Sequence, residues 1–135
     1  MTAIMADHDS EGHVQVLLRV LTSAAWIDIW HELAIDVESF ASLRLPTTTS
    51  DTVLWQLCQA QQIILITGNR NKVGSQALEA VIERENTPTS LPVLTIGMPS
   101  RVLSSQSYAE RVVIRLLEIL LDLEPYRGTG RLYLP

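Results

Sequence analysis

Cysteine is nearly missing from this chain: Cys58 is the only one in 135 residues. A lone thiol excludes an intramolecular disulfide, and Cys58 reads as a small buried hydrophobe on a helix. Lysine is equally scarce. Of ten basic residues nine are Arg, Lys72 is the exception, and fifteen acids leave a net charge of −5. That balance argues against strong nonspecific coating of DNA but is compatible with a metal-binding carboxylate cluster. No basic stretch followed by an apolar core opens the sequence, and the apolar run 112–123 is broken by Arg115, Glu118 and Asp122. Neither a secretory leader nor a membrane span is expected, and a soluble, cytoplasmic protein is the default reading. The patterns G-x-G-x-x-G, G-x-x-x-x-G-K-[ST] and G-x-S-x-G do not occur. A dinucleotide fingerprint, a Walker loop and a serine-hydrolase elbow are therefore excluded.

The most informative stretch is Gln62 to Lys72. Four aliphatics, Ile63 to Ile66, run without alternation and stop at Thr67-Gly68. A short β-branched run of this kind predicts a strand buried on both faces. Its end delivers Asn69, Arg70, Asn71 and Lys72 to one place. Ligands of open α/β sheets bind outside the carboxyl ends of the strands, so chemistry is expected there.

The rest of the chain alternates strands with helices. A first strand ends near Ala6, and Ser10 is placed to cap a helix that runs to about Thr22, with Val14, Leu17, Leu18 and Leu21 inward. A shorter helix covers Ala24 to Leu33. Residues 34–40 alternate as a strand near a sheet edge. After a loop, Thr52 to Gln61 is helical with Val53, Leu54, Leu57 and Cys58 inward. Ser75 to Glu85, the strand 93–97 and a long helix 107–123 follow, the last burying Val112, Val113, Leu116, Leu117, Leu120 and Leu121. Gly128-Thr-Gly130 reads as flexible, and 131–135 as a short strand-like tail. This order predicts an α/β fold: a single Rossmann-like three-layer α/β/α sandwich around a mostly parallel sheet of four to five strands. The domain is expected over 1–124, with 125–135 a tail able to contact a second subunit.

Polar residues collect after the strand ends. Asp7 and Asp9 follow the first strand, and Asn69 and Asn71 the central one. Asp51 opens a helix whose N-terminus belongs on the same sheet edge. Carboxylates converging from separate segments suit Mg²⁺ or Mn²⁺, which could activate water against a phosphodiester. The simpler readings are an N-cap for Asp51, first-turn acids for Asp9 and Glu11, and turn residues for Asn69 and Asn71. His8 and His13 lie five apart, which is not a helical ligand pair. Trp26, Trp30 and Trp55 are expected in packing rather than in base stacking.

The pieces Ala6-Asp7-His8-Asp9, Ser50-Asp51 and Ile64-Leu-Ile-Thr-Gly-Asn-Arg-Asn71 resemble the PIN-like superfamily, and most of all its small Mut7-C/toxin-like branch of bacterial proteins. The resemblance anchors about the first 75 residues. It implies a Rossmann-like sandwich and a Mg²⁺- or Mn²⁺-dependent ribonuclease of the kind paired with antitoxins. By position it makes Asp7 and Asp51 metal-binding acids and gives Asn69 and Asn71 the places of further acids, with Asp9 able to compensate. Asn69 would then position water or phosphate, and Arg70, Asn71 and Lys72 would contact the backbone of RNA. The amides cancel no charge on a cation, so the alternative implied is a PIN-like module that binds without cutting. An antitoxin-like protein and a second copy of the chain are the expected partners, and a membrane is not.

Overall fold

Alternation within each strand sorts the core into two layers. In β1 (Ala3–Ala6), β3 (Ile63–Thr67) and β4 (Val93–Ile96), the residues Ile4, Ala6, Ile64, Ile66, Leu94 and Ile96 face one way. Ala3, Met5, Ile63, Leu65 and Val93 face the other. Both sets are buried, as the unbroken apolar runs require. The computed structural model describes residues 2–68 and 72–135, the side chains of 72–76 excepted.

The first layer is covered by α1 (Glu11–Leu21) and α6 (Gln106–Leu121), with α2 (Ile27–Leu33) and α5 (Pro99–Ser104) beside them. The second is covered by α3 (Asp51–Gln61) and α4 (Lys72–Glu85). With β2 (Asp36–Glu38) and β5 (Arg131–Leu134) the sheet has five strands in the order β2-β1-β3-β4-β5. Every pairing is parallel. The expected Rossmann-like three-layer sandwich is therefore the architecture found. Among the described residues no helix is long and apolar enough to cross a membrane.

Several local expectations change. Residues 131–134 are the fifth strand, paired with β4 from Val93↔Arg131 to Ile96↔Leu134, so the segment read as a tail belongs to the sheet. Gly128-Thr-Gly130 is pinned rather than loose. Gly128 N–H donates to the Ser90 carbonyl at 2.9 Å, and Asn86 Nδ2 donates to the Gly128 carbonyl at 2.8 Å. Both glycines have φ near +80° (83° and 82°), the left-handed region that side chains disfavour.

On α3 the buried face is Leu54, Trp55 and Cys58, while Val53 is exposed. The expected stripe had the right period but the wrong rotation, because turning the indole inward hides more apolar area than hiding a valine. On α6, Ile119 is buried and Leu121 exposed, since the helix ends there. Pro99 does more than stop β4. It occupies the first turn of α5, where its missing N–H costs nothing. Lys72 opens α4, three residues before the expected start. The edge strand β2 keeps only Asp36–Glu38, and α2 begins at Ile27.

Candidate functional site

In the strand order 2-1-3-4-5 the chain leaves β1 toward one edge and returns to build the other side from β3. The gap beyond the carboxyl ends of β1 and β3 is therefore the topological switch point, where such folds place ligands.

Two backbone devices shape that gap. Asp7 N–H donates to the Ile66 carbonyl at 2.9 Å, which carries the β1–β3 pairing one residue past β1. The chain then turns through a short 3₁₀ segment, His8–Ser10, with Ser10 N–H donating to the Asp7 carbonyl at 2.9 Å. The Ser10 hydroxyl was expected to cap α1. It makes no cap bond there, and accepts instead from Gly68 N–H at 2.8 Å. The exit of β3 is thus tied to the turn after β1.

Gly68 also has no room for a side chain: a Cβ would lie 2.7 Å from Cγ of Pro99. The proline ring is stiff and opens α5, so it cannot swing away. Gly68→Ala is expected to cost about 1–3 kcal/mol through this overpacking. Urea denaturation measures it, and an unchanged midpoint would mean that α5 shifts freely.

A row of polar side chains crosses the sheet at the same level. Strand parity puts Asp7, Thr67 and Thr95 on the face covered by α3 and α4. Thr67 stands opposite Thr95, and Asp7 lies one residue beyond the Ala6↔Ile66 pair. Thr67 Oγ1 donates to Asp7 Oδ2 at 3.3 Å, and Arg131 Nη1 donates to Thr95 Oγ1 at 2.6 Å. Both threonines are fully buried. The Arg131 side chain is 11% exposed, with Nε 2.8 Å from Oε1 of Glu79. That contact lacks hydrogen-bond geometry, and among the described residues Nη2 has no hydrogen-bond partner.

Asp51 reaches the rim from α3. It is not the cap of that helix: Ser50 is, its hydroxyl accepting from Val53 N–H at 3.2 Å. Asp51, at the first helical position, is left for other work. Burial raises its pKa first, then repulsion from Asp7, partly offset by the cationic Arg131, with a smaller push from Asp9. Asp7 is raised mainly by burial as well. Hydrogen bonds from His8 N–H and Thr67 pull it back, and Asp9 pushes it up. Repulsion between two carboxylates is reciprocal, so it is carried by whichever ionises second.

Asp7, Asp9 and Asp51 thus share one electrostatic neighbourhood. Asp7 and Asp51 are half-buried, whereas Asp9 is exposed in the 3₁₀ segment. Among the described residues no three His, Cys, Asp or Glu side chains converge as a ready-made ion site. Asn69, Arg70 and Asn71 lie outside the described residues, as does the side chain of Lys72. Thr67, Thr95 and Arg131 were not anticipated. The signal for the threonines was available: each is a polar residue at or near the end of an apolar strand, on the parity of its inward partners.

Neither family models, nor curated proteins, nor solved structures give a match to the chain.

Proposed function

We propose that this is a PIN-like domain whose rim between β1 and β3 assists phosphodiester cleavage in RNA with Mg²⁺ or Mn²⁺, using a reduced set of acids. One observation carries the reading. Asp7 and Asp51, from different elements, share one electrostatic neighbourhood at the switch point; burial raises both pKa values, and repulsion from Asp7 further raises that of Asp51. A cation between them would relieve both, and such ions commonly take only one or two protein carboxylates beside their waters. The donor set therefore fits a hard divalent ion. When bound, the ion would supply charge neutralisation and an acidified water.

The chain's own residues have separate tasks in this reading. Thr67 and His8 N–H hold the Asp7 carboxylate in one orientation. Asp51, at the start of α3, lies within its electrostatic reach. Asp9 adds negative potential from the exposed side. Asn69 follows Gly68 in sequence and offers an amide to water or phosphate, and Arg70, Asn71 and Lys72 offer donors to the RNA backbone.

A second reading is a binding module on the same fold. It is favoured by the amides of Asn69 and Asn71, which neutralise no cation. Cleavage of single-stranded RNA in Mn²⁺ separates the two. The proposed enzyme should be roughly a hundredfold or more faster than an Asp7→Ala, Asp51→Ala double variant. Equal rates, with no calorimetric Mn²⁺ binding, would leave the binding module.

A further inference from the structure

A second feature lies on the same rim, beyond β4 and β5. Gly97, Met98, Arg101, Tyr108, Arg111 and Tyr133 help to line a cavity of about 320 Å³. Its floor is rigid. Tyr108 is buried, and its hydroxyl accepts from Met98 N–H at 2.8 Å, fixing the ring against the exit of β4. Two guanidinium groups stand over that one ring, Arg101 at 4.9 Å and Arg111 at 5.5 Å from its centroid.

What distinguishes this pair is that both guanidinium groups share one ring and one cavity. Arg84, Arg115, Arg127 and Arg131 each have a glutamate within 4 Å. Among the described residues Arg101 and Arg111, like Arg19 and Arg44, have none, although the chain is acidic overall. The Arg111 guanidinium makes no hydrogen bond among the described residues, and that of Arg101 only a weak one, from Nη1 to Sδ of Met98 at 3.6 Å. The neighbouring Glu110 is engaged by Gln106 at 3.2 Å. Two like charges near one ring repel each other, and stacking on the ring leaves their N–H edges available. A doubly charged oxyanion satisfies those edges bidentately, as one point charge could not. The rest of the lining is apolar or aromatic, with Met98 and Tyr133 half or more exposed. A cavity of this size, cationic at one side and apolar at the other, suits a phosphate attached to a ring.

We infer that Arg101 and Arg111 form a phosphate-binding subsite for a nucleotide, with the base against Met98 and Tyr133. The subsite uses no metal and no acid of the β1–β3 rim, so it stands or falls apart from the nuclease reading.

Calorimetric titration in EDTA at low salt tests it, with AMP, inorganic phosphate and a 5′-phosphorylated RNA hexamer as probes. AMP should bind saturably and more tightly than inorganic phosphate, and weaken as salt rises. Arg101→Gln with Arg111→Gln should weaken AMP by roughly tenfold or more. Arg84→Gln, on the far side of α4's ion pair with Glu85, should leave it unchanged. A hexamer tighter than AMP makes the source a strand, and a hexamer no tighter makes it a free nucleotide; either result supports the subsite. Nitrogen-detected NMR of the unmutated protein gives a second readout, in which the Arg101 and Arg111 Nε–H signals should shift with AMP. No saturable binding of any probe, binding unchanged in the double variant, or arginine signals that do not move would overturn the proposal.

Discussion

Replacing Asp7 with Asn is expected to make the protein more stable at neutral pH and, on the proposed reading, to weaken Mn²⁺ binding in the same molecule. Asp7 is held above its ordinary pKa chiefly because burial penalises its charge. The folded state therefore keeps a proton on Asp7 to higher pH than the unfolded chain does. The native state binds more protons between the two pKa values, so stability falls as pH rises through that window. Above it the full penalty applies, and below the ordinary carboxylate value it vanishes. An amide never carries the charge, yet its oxygen can still accept from Thr67 Oγ1 and His8 N–H. Asp7→Asn should thus gain roughly 1 kcal/mol at pH 7, or a few degrees in Tm, and nothing at pH 3. If Asp7 is a ligand, the affinity for Mn²⁺ should fall roughly a hundredfold. A variant less stable at pH 7 would make Asp7 a structural group, and intact Mn²⁺ binding would remove it from the ion site.

This opposition between stability and charge is the physical content of the candidate site. A carboxylate that only closed a turn would be better placed in water. Asp7 and Asp51 are both half-buried and mutually repelling, and Ser50 already serves the cap that would otherwise explain Asp51.

How far the sequence carries such a site can be seen residue by residue. Ile63 to Ile66 announced a central strand because nothing polar interrupts them, and β3 is flanked by β1 and β4. Asp7 and Asp51 were legible as the first polar residue after a strand and the first of a helix. Thr67 and Thr95 belong to one row only once β3 and β4 are known to be neighbours in register. Strand order is a property of the whole fold, and no local pattern encodes it. Ser10 was misread for a related reason: its sequence position is that of a cap, but its hydroxyl has a partner 58 residues away. Arg131 was hidden by its setting in an apparent tail, where a charged residue looks solvated.

Ending the chain at Glu124 is expected to destabilise the whole domain rather than trim an appendage. Val93, Leu94, Thr95 and Ile96 are all at most 1% exposed. Without β5 they would form an open edge, with Val93 N–H losing the Gly130 carbonyl and Gly97 N–H losing that of Leu134. Leu134, 1% exposed, would leave the layer formed with Leu94 and Ile96. Arg131 would release Thr95 and Glu79. Loss of one such leucine side chain alone costs about 2–5 kcal/mol, a large share of the roughly 5–15 kcal/mol that holds a domain together. Leu134→Ala should therefore lower the urea midpoint by roughly 1–2 M, and the shortened chain should lose cooperative unfolding altogether. The single substitution guards against reading mere aggregation as unfolding, because it leaves every backbone bond of β5 in place. A shortened chain that unfolds at the midpoint of the full one would show that β4 tolerates an open edge and that β5 adds no stability.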